Sequence, residues 1–224
     1  MTPALPTHPP LMLPRVYPIV DTATLAPRRL TPLDAARAMI DGGARILQLR
    51  HKEAFNREVF EEARRVAALC EQAGVLFVLN DRADLARLLS AGLHIGQEDQ
   101  VPSEAREVLG AALSLGYSTH NLKQLREASS EPVDYLAIGP VFGTINKQNP
   151  DPMVGLEALR QIAACSVRPL VAIGGVTLEN AQRLYDAGIH CAAIIGDLYA
   201  LGDTAPDIQR RVAQWNDLYP HTQQ

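Results

Sequence analysis

The sequence contains few cysteines, and their spacing argues against two classes of protein. The three thiols, Cys70, Cys165 and Cys191, lie far apart and form no Cys-x-x-Cys pair. A disulfide framework needs an even set of cysteines, and a structural zinc site needs closely spaced cysteine or histidine ligands. We therefore expect three reduced side chains in the core of a cytoplasmic protein.

Long apolar runs are also absent, since no stretch of 18 consecutive apolar residues occurs. A membrane-spanning helix needs about 18 such residues or more, so a membrane partner is not expected. Residues 1–14 carry five prolines but no basic segment followed by an apolar one, which argues against a signal peptide. We expect a proline-rich N-terminal tail over residues 1–14 and one domain over residues 15–224.

An excess of positive charge is missing as well. The net charge is −4 at pH 7 and the pI is about 5.9, so the chain lacks the overall attraction for nucleic acid that basic domains show. No Gly-x-Gly-x-x-Gly follows the first apolar run, and no His-Glu-x-x-His or serine hydrolase motif occurs. Dinucleotide binding, zinc chemistry and covalent hydrolysis thus have no support, and no nucleic-acid partner is expected.

Eight short runs rich in valine, isoleucine and leucine alternate with amphipathic stretches. Runs without polar alternation are typical of parallel strands that are covered on both faces. The alternation predicts an α/β fold, and eight repeats favour a closed (β/α)8 barrel, the TIM barrel, over an open doubly wound sheet. The predicted strands are Val16–Asp21, Arg45–Leu49, Val75–Asn80, Leu93–Gly96, Ala112–Tyr117, Tyr135–Gly139, Leu170–Ile173 and Cys191–Ile195.

In such a barrel the residues that follow the strands lie at one rim, where barrel enzymes carry their active sites. Asp81 and Asp99 close two consecutive runs, so we expect them roughly 5 Å apart, which is one strand spacing. Two carboxylates that close repel each other unless a cation lies between them. Because Mg²⁺ binds carboxylate, water and phosphate oxygens, the pair predicts a magnesium site. The alternative is that Asp81 caps the helix near Ala83 and that Asp99 forms an ion pair.

Basic residues close the second run, in the segment Gln48-Leu49-Arg50-His51-Lys52. Alternation along a strand places Gln48, Arg50 and Lys52 on one side and Leu49 on the other. An arginine inside an apolar strand is costly without an anionic partner. The pattern therefore favours an anion site, with a surface cluster of ion pairs as the alternative.

Glycine-containing loops after the last three runs predict further contacts with anions. The loop from Gly139 to Lys147 supplies backbone amides, short polar groups and a lysine charge. Ile173-Gly174-Gly175 and Ile195-Gly196 follow the last two runs, where barrels often bind phosphate. A plain surface loop or a tight turn would explain each segment alone. His94, inside the fourth run, is expected to be a buried structural histidine.

These residues, in this order, resemble the thiamine-phosphate synthase family. The matching stretches extend from about Tyr17 to Leu198, and Gly-Gln-Glu-Asp at this distance from Asn-Asp is highly specific. The resemblance implies a (β/α)8-barrel transferase that joins 4-amino-2-methyl-5-hydroxymethylpyrimidine diphosphate to a thiazole phosphate, with release of pyrophosphate and dependence on Mg²⁺. The matching segments are Gln48–Lys52, Asn80–Asp84, His94–Asp99, Ser118–His120, Gly139–Phe142 with Thr144 and Lys147, and Ile173–Gly175.

The resemblance also implies roles for individual residues. Mg²⁺ would be held by Asp81 and Asp99. The catalytic residues would be Arg50, Lys52, Ser118 and Lys147. The pyrimidine diphosphate would bind at Gln48, Leu49, Arg50, His51, Lys52, Asn80, Ser118 and Lys147. The thiazole phosphate would bind at Thr144, Ile145, Asn146, Gly175, Ile195 and Gly196. In the family the carbon–oxygen bond is thought to break before the new bond forms.

Three positions depart from the usual family pattern. Gly143 stands where proline is frequent. Asn146 stands where threonine is common, and Gly196 stands where serine is common. Asparagine can still donate to phosphate, and glycine still offers its backbone amide. Asp197 would repel a nearby phosphate, so we expect its side chain to point away or to cap the next helix.

Two other functions stay open. A tautomerase of the same fold, which isomerises the thiazole phosphate, would not need the diphosphate-binding charges of Arg50, Lys52 and Lys147. A non-catalytic barrel that binds a thiamine precursor is the third possibility, although two close carboxylates are costly to keep in a binding module. Small molecules are the expected partners, and assembly into a homo-oligomer is left open.

Overall fold

Eight parallel strands close into a barrel in the order in which they occur along the chain. The computed structural model describes residues 11–143 and 152–220. Each strand pairs with the next, and the eighth pairs with the first. The prediction of a (β/α)8 barrel is confirmed. The strands are β1 (Val16–Asp21), β2 (Ile46–Arg50), β3 (Leu76–Asn80), β4 (Gly92–Ile95), β5 (Leu115–Thr119), β6 (Tyr135–Ile138), β7 (Leu170–Ala172) and β8 (Cys191–Ile194).

Helices connect the strands and cover the outside of the barrel. None of the described helices is long and apolar enough to cross a lipid bilayer. Residues 11–143 and 152–220 also contain two short 3₁₀ helices, Ala26–Arg28 and Gly196–Tyr199. The α-helices are α1 (Thr22–Leu25), α2 (Pro32–Asp41), α3 (Arg57–Ala73), α4 (Ala83–Leu88), α5 (Pro102–Leu109), α6 (Leu122–Ala128), α7 (Leu156–Cys165), α8 (Ala181–Tyr185) and α9 (Ala205–Leu218).

Residues that flank the apolar pattern fix the helix ends. At the start of α2, the Thr31 hydroxyl accepts a hydrogen bond from the Asp34 amide, and Pro32 supplies a φ suited to the first helical position. Gly74 ends α3 with φ +66°, a left-handed conformation that glycine adopts at low cost. The helices that shape the barrel are therefore specified locally.

Two details of the sequence-based prediction are wrong. β5 begins at Leu115 rather than at Ala112, because Ala112 is exposed and belongs to the turn after α5. Cys165 is exposed rather than buried, because it is the last residue of α7. Cys70 and Cys191 are buried as expected, and burial raises the pKa of the Cys70 thiol to about 12.

The interior of the barrel forms a core that is separate from the layer between strands and helices. Tyr17, Val78 and Tyr135 belong to this inner core. The ring of Tyr135 lies over Gly116 of β5, where an added Cβ would lie 2.0 Å from the ring carbon Cζ. Only glycine at this position leaves room for the Tyr135 ring.

A buried ion pair attaches α9 to the end of β8. Arg211 donates to the two carboxylate oxygens of Asp197 at 3.0 and 2.7 Å, and Trp215 Nε1 donates to the same carboxylate at 2.6 Å. The side chains of Asp197 and Arg211 are 2% and 6% exposed. Asp197 thus points to α9 and away from the rim, as expected for an acidic residue that would otherwise repel a phosphate.

Replacing Arg211 with methionine should lower the free energy of unfolding by about 3–5 kcal/mol, because Asp197 would stay buried without its cation. The neighbouring Arg210 is exposed and pairs with Asp207 at the surface, so Arg210→Met is the matched control and should cost less than about 1 kcal/mol. Urea unfolding measures both losses. Equal effects of the two substitutions would contradict the importance of the buried pair.

Candidate active site

Inward-facing side chains from five neighbouring strands meet at the carboxyl-terminal rim of the barrel. Arg50 of β2 lies in register with Asp21 of β1, and Asn80 of β3 lies in register with His94 of β4. Because alternate residues of a strand share a face, the register brings distant parts of the sequence to one mouth. The predicted site residues at this rim are Gln48, Arg50, Lys52, Asn80, Asp81, Asp99 and Ser118.

Arg50 is anchored by an acidic residue of the adjacent strand. Its Nη1 atom donates a hydrogen bond to Asp21 Oδ2, and Asp21 Oδ1 accepts bonds from the Thr24 amide at 2.9 Å and the Thr24 hydroxyl at 3.0 Å. Asp21 is buried, whereas the Arg50 side chain is 32% exposed. One edge of the guanidinium is therefore fixed while the rest faces the mouth of the barrel, where it can bind an anion.

Lys52 forms an ion pair with the first of the two predicted metal ligands. Its Nζ atom lies 2.5 Å from Asp81 Oδ2. Asp81 has φ +66°, which is uncommon outside glycine but tolerated by aspartate, and its amide donates to the His94 carbonyl oxygen at 2.8 Å. The start of α4 has no side-chain cap, so Asp81 does not serve as the helix cap that we considered as an alternative.

The carboxylates of Asp81 and Asp99 lie next to each other. Burial raises the pKa of Asp81, contact with Asp99 raises it further, and Lys52 opposes the rise. Asp99 is oriented by the Gly96 amide, which donates to its Oδ2 at 2.6 Å. Two carboxylates that disfavour each other's charge are stabilised by a cation between them, so the pair fits Mg²⁺. The described residues contain no group of three or more acidic, histidine or cysteine ligands.

Asn80 offers a hydrogen-bond donor that the protein itself does not use. The residue is 6% exposed, and its Nδ2 atom has no hydrogen-bond partner within the described residues. A buried donor without a partner costs about 1–3 kcal/mol. A phosphate oxygen at the rim would remove this cost, so the amide is suited to an anionic ligand beside Asp81.

A chain of hydrogen bonds connects two of the predicted site residues across the interior. Gln48 Nε2 donates to Tyr17 Oη at 3.1 Å, and the two tyrosine hydroxyls, Tyr17 and Tyr135, are 3.2 Å apart. His94 Nδ1 lies 3.0 Å from Tyr135 Oη, and His94 Nε2 lies 2.8 Å from Ser118 Oγ. Burial lowers the pKa of His94 to about 4. The imidazole is therefore neutral at pH 7.

Leu49 and His51 point away from the mouth of the barrel. Leu49 is buried in the layer between strands and helices, and His51 Nδ1 bonds to Thr22 Oγ1 at 2.8 Å. Both residues line a cavity formed with α2 and α3. Their side chains are thus separated from those of Gln48 and Arg50, and a contact with a ligand at the rim would have to come from their backbone.

The loop after β7 approaches the loop after β6 closely. Gly174 and Gly175 have φ values of +94° and +63°, and a Cβ at Gly175 would lie 2.3 Å from the Gly143 carbonyl oxygen. Ile195 is half-buried, and Gly196 is exposed at the start of a 3₁₀ helix. These backbone positions lie at the carboxyl ends of their strands. The other predicted residues, Thr144, Ile145, Asn146 and Lys147, lie outside the described residues.

Asp21 and Tyr17 have no assigned role in the sequence-based prediction, although they contact the predicted site residues Arg50 and Gln48. Tyr135 has no assigned role either, and its hydroxyl contacts Tyr17 and His94. An acidic residue that closes β1 next to an arginine that closes β2 could have indicated the first contact, because adjacent strands end side by side. A tyrosine within an apolar strand is a weaker signal, since it says only that a buried hydroxyl needs a partner.

Fold and rim together define a (β/α)8 barrel of the enzyme type, with cations, an amide donor and two adjacent carboxylates at its mouth. The family model described as thiamine monophosphate synthase matches residues 16–198. The chain is 44% identical to a thiamine-phosphate synthase of Koribacter versatilis (strain Ellin345) over 191 residues, which cover 84% of this chain and 90% of that protein. It is 38% identical to a thiamine-phosphate synthase of Myxococcus xanthus (strain DK1622) over 197 residues, which cover 88% of this chain and 89% of that one.

A solved structure agrees with these relatives. The thiamine phosphate pyrophosphorylase of Pyrococcus furiosus superposes with a TM-score of 0.78 at 30% identity, over 92% of this chain and 95% of that one. The chain therefore belongs to the thiamine monophosphate synthase family, whose members are transferases.

Replacing Asp99 with asparagine should weaken binding of Mg²⁺–pyrophosphate on the order of 10-fold or more, because one of the two carboxylates would be lost. Asp84 is the matched control, since it is an exposed carboxylate on α4 that pairs with Arg82. Calorimetric titration of both variants measures the effect. Wild-type affinity in Asp99→Asn, or equal weakening in Asp84→Asn, would argue against a metal at this rim.

Proposed function

We propose that the protein is a thiamine-phosphate synthase that condenses 4-amino-2-methyl-5-hydroxymethylpyrimidine diphosphate with a thiazole phosphate. The products are thiamine phosphate and pyrophosphate. The observation that carries the proposal is the meeting of Arg50, Lys52 and Asn80 with the adjacent carboxylates of Asp81 and Asp99 at one rim. This arrangement combines cations, a neutral donor and a metal-binding pair, which are the groups that a diphosphate requires.

The diphosphate would bind between these groups. Arg50 can donate from the edge of its guanidinium that Asp21 does not hold, and Lys52 supplies a flexible point charge. Asn80 Nδ2 and the Ser118 hydroxyl would complete the contacts, and Lys147 is the further cation predicted from the family resemblance. Mg²⁺ held by Asp81 and Asp99 would neutralise charge on the diphosphate when bound.

In the reaction, the bond between the pyrimidine methylene carbon and the diphosphate oxygen breaks, and its electron pair leaves with pyrophosphate. The ring nitrogen of the thiazole then donates its lone pair to the methylene carbon. Negative charge grows on the leaving pyrophosphate, so fixed donors at the rim stabilise the transition state more than the ground state. No nucleophilic side chain is needed.

Supporting contacts for the thiazole phosphate come from the last three loops. Gly175, Ile195 and Gly196 offer backbone positions at the ends of β7 and β8, and Asp197 is turned away to Arg211. Thr144, Ile145 and Asn146 are proposed from the family resemblance alone. The three cysteines form no disulfide, which agrees with a proposed cytoplasmic location.

Release of pyrophosphate, assayed with and without Mg²⁺ and the thiazole phosphate, tests the proposal. Release that needs the metal and is coupled to formation of thiamine phosphate is the expected result. Rearrangement of the thiazole phosphate without release would indicate a tautomerase. Binding without either reaction would indicate a non-catalytic barrel.

Replacing Arg50 with lysine should lower kcat by about 100-fold, because lysine keeps a charge for Asp21 but cannot hold that carboxylate and the leaving group together. Arg64, an exposed residue of α3 paired with Glu61, provides the control Arg64→Lys, which should match the wild type. Steady-state kinetics and circular dichroism of both variants test this. Near-normal turnover in folded Arg50→Lys would contradict the assigned role.

A further inference from the structure

The buried chain of hydrogen bonds between Gln48 and Ser118 has a direction that can be deduced from its donors. It begins at Gln48 Nε2, which can only donate, so Tyr17 Oη accepts at that point. The Tyr17 hydroxyl has one proton, and Tyr135 Oη is its only other partner within the described residues. Tyr17 therefore donates to Tyr135, because an unused hydroxyl proton in a buried site would be costly.

The donors and acceptors from Tyr135 to His94 and Ser118 can be assigned in the same way. Tyr135 Oη accepts from Tyr17, so its own proton goes to His94 Nδ1 at 3.0 Å. Because Nδ1 accepts from Tyr135, it carries no proton, and the single proton of the ring is on Nε2. Nε2 then donates to Ser118 Oγ at 2.8 Å. Ser118 accepts from His94 and keeps its own hydroxyl proton free.

The geometry of the barrel holds this chain in place. Tyr17, Tyr135 and Gln48 are buried, at 1%, 0% and 3% exposure. The rings of His94 and Tyr135 are stacked, with centroids 5.6 Å apart and an interplanar angle of 22°. Gly116 provides the space for the Tyr135 ring, so the position of that hydroxyl is fixed by packing as well as by hydrogen bonds.

We propose that Tyr17, Tyr135 and His94 are positioning residues. The two tyrosines fix His94 in the Nε2–H tautomer, and the chain thereby determines which hydrogen-bond donor and which acceptor face the substrate. At one end, Ser118 presents a hydroxyl proton to the diphosphate. At the other end, Gln48 directs its amide nitrogen to Tyr17 and leaves Oε1 to accept from the amino group of the pyrimidine. The assignment of these two substrate contacts rests on the proposed function.

If every hydrogen bond in the chain ran in the opposite direction, Ser118 would have no proton to donate to the diphosphate. If Gln48 turned its Oε1 to Tyr17, each hydroxyl would donate the other way, and His94 would carry its proton on Nδ1. The Ser118 hydroxyl would then donate its hydrogen bond to His94 Nε2, and Ser118 would face the diphosphate with lone pairs only. Repulsion between these lone pairs and a phosphate oxygen would weaken binding.

The tautomer can be measured directly in ¹⁵N-histidine-labelled protein without substrate. His94 is assigned by the resonances that disappear in His94→Gln. We expect a protonated Nε2 and an unprotonated Nδ1 for His94 at pH 7. A protonated Nδ1 with a bare Nε2, or protons on both nitrogens, would overturn the proposal.

Tyr17→Phe is the decisive variant, because the Tyr17 hydroxyl bonds to Tyr135 and Gln48 rather than to His94. Without it, nothing dictates which way Tyr135 donates, and we expect His94 to become a mixture of tautomers. Tyr185→Phe is the matched control, since it removes a tyrosine hydroxyl that donates to the Arg15 carbonyl outside the chain of bonds, and it should leave the tautomer unchanged. An unaltered Nε2–H tautomer in folded Tyr17→Phe would contradict the proposed role of the hydrogen-bond chain. An altered tautomer in Tyr185→Phe would contradict it as well.

Kinetics separate this proposal from the proposed function. In Tyr17→Phe, kcat/KM for the pyrimidine diphosphate should fall about tenfold, which is the effect expected when a hydrogen bond to a charged group is weakened, while Tyr185→Phe should match the wild type. If His94 has the Nε2–H tautomer but the protein releases no pyrophosphate, the synthase function alone is refuted. If the protein has full synthase activity but His94 has the opposite tautomer, the proposed role of the hydrogen-bond chain alone is refuted.

Discussion

Closure of the parallel sheet is the constraint on which the site depends. Each strand has only two faces, so a closed barrel forces alternate side chains either into a narrow interior or outward to the helices. The carboxyl ends of the strands then share one mouth. Arg50, Asn80 and Ser118 are far apart in the sequence, yet none of them needs a special loop to reach the others. Leu49 occupies the alternate position, because it packs outward against the helices while its neighbours Gln48 and Arg50 face inward.

Within that mouth, charges are arranged so that each is partly compensated. Asp21 binds Arg50, and Lys52 contacts Asp81. Asp99 accepts a hydrogen bond from the Gly96 amide. The compensation is incomplete, because burial and the neighbouring Asp99 still raise the pKa of Asp81. Asn80 also keeps a donor that has no partner within the described residues. A site that is partly unsatisfied in this way binds a ligand that brings both negative oxygens and a cation more favourably than it binds water.

The fold was predictable because each strand and helix carries its own local signal, from the apolar runs to the Thr31 cap and the glycine that ends α3. The gathering of Arg50 and Asp81 at one rim followed from the same signals, because a barrel aligns strand ends. The contacts of Tyr17 and Tyr135 did not follow, since they depend on how strands on different sides of the barrel face each other across the interior. The start of β5 was misplaced because apolar residues of a turn continue the pattern of the strand.

The fit between Gly116 and Tyr135 has a consequence beyond this chain. The two positions are paired in register on adjacent strands. The Tyr135 ring fills the space that a side chain at Gly116 would need. Neither can change its size independently without disturbing the hydroxyl that faces His94. Among homologous barrels the two positions should therefore coevolve, with any enlargement at the first accompanied by the loss of the aromatic ring at the second.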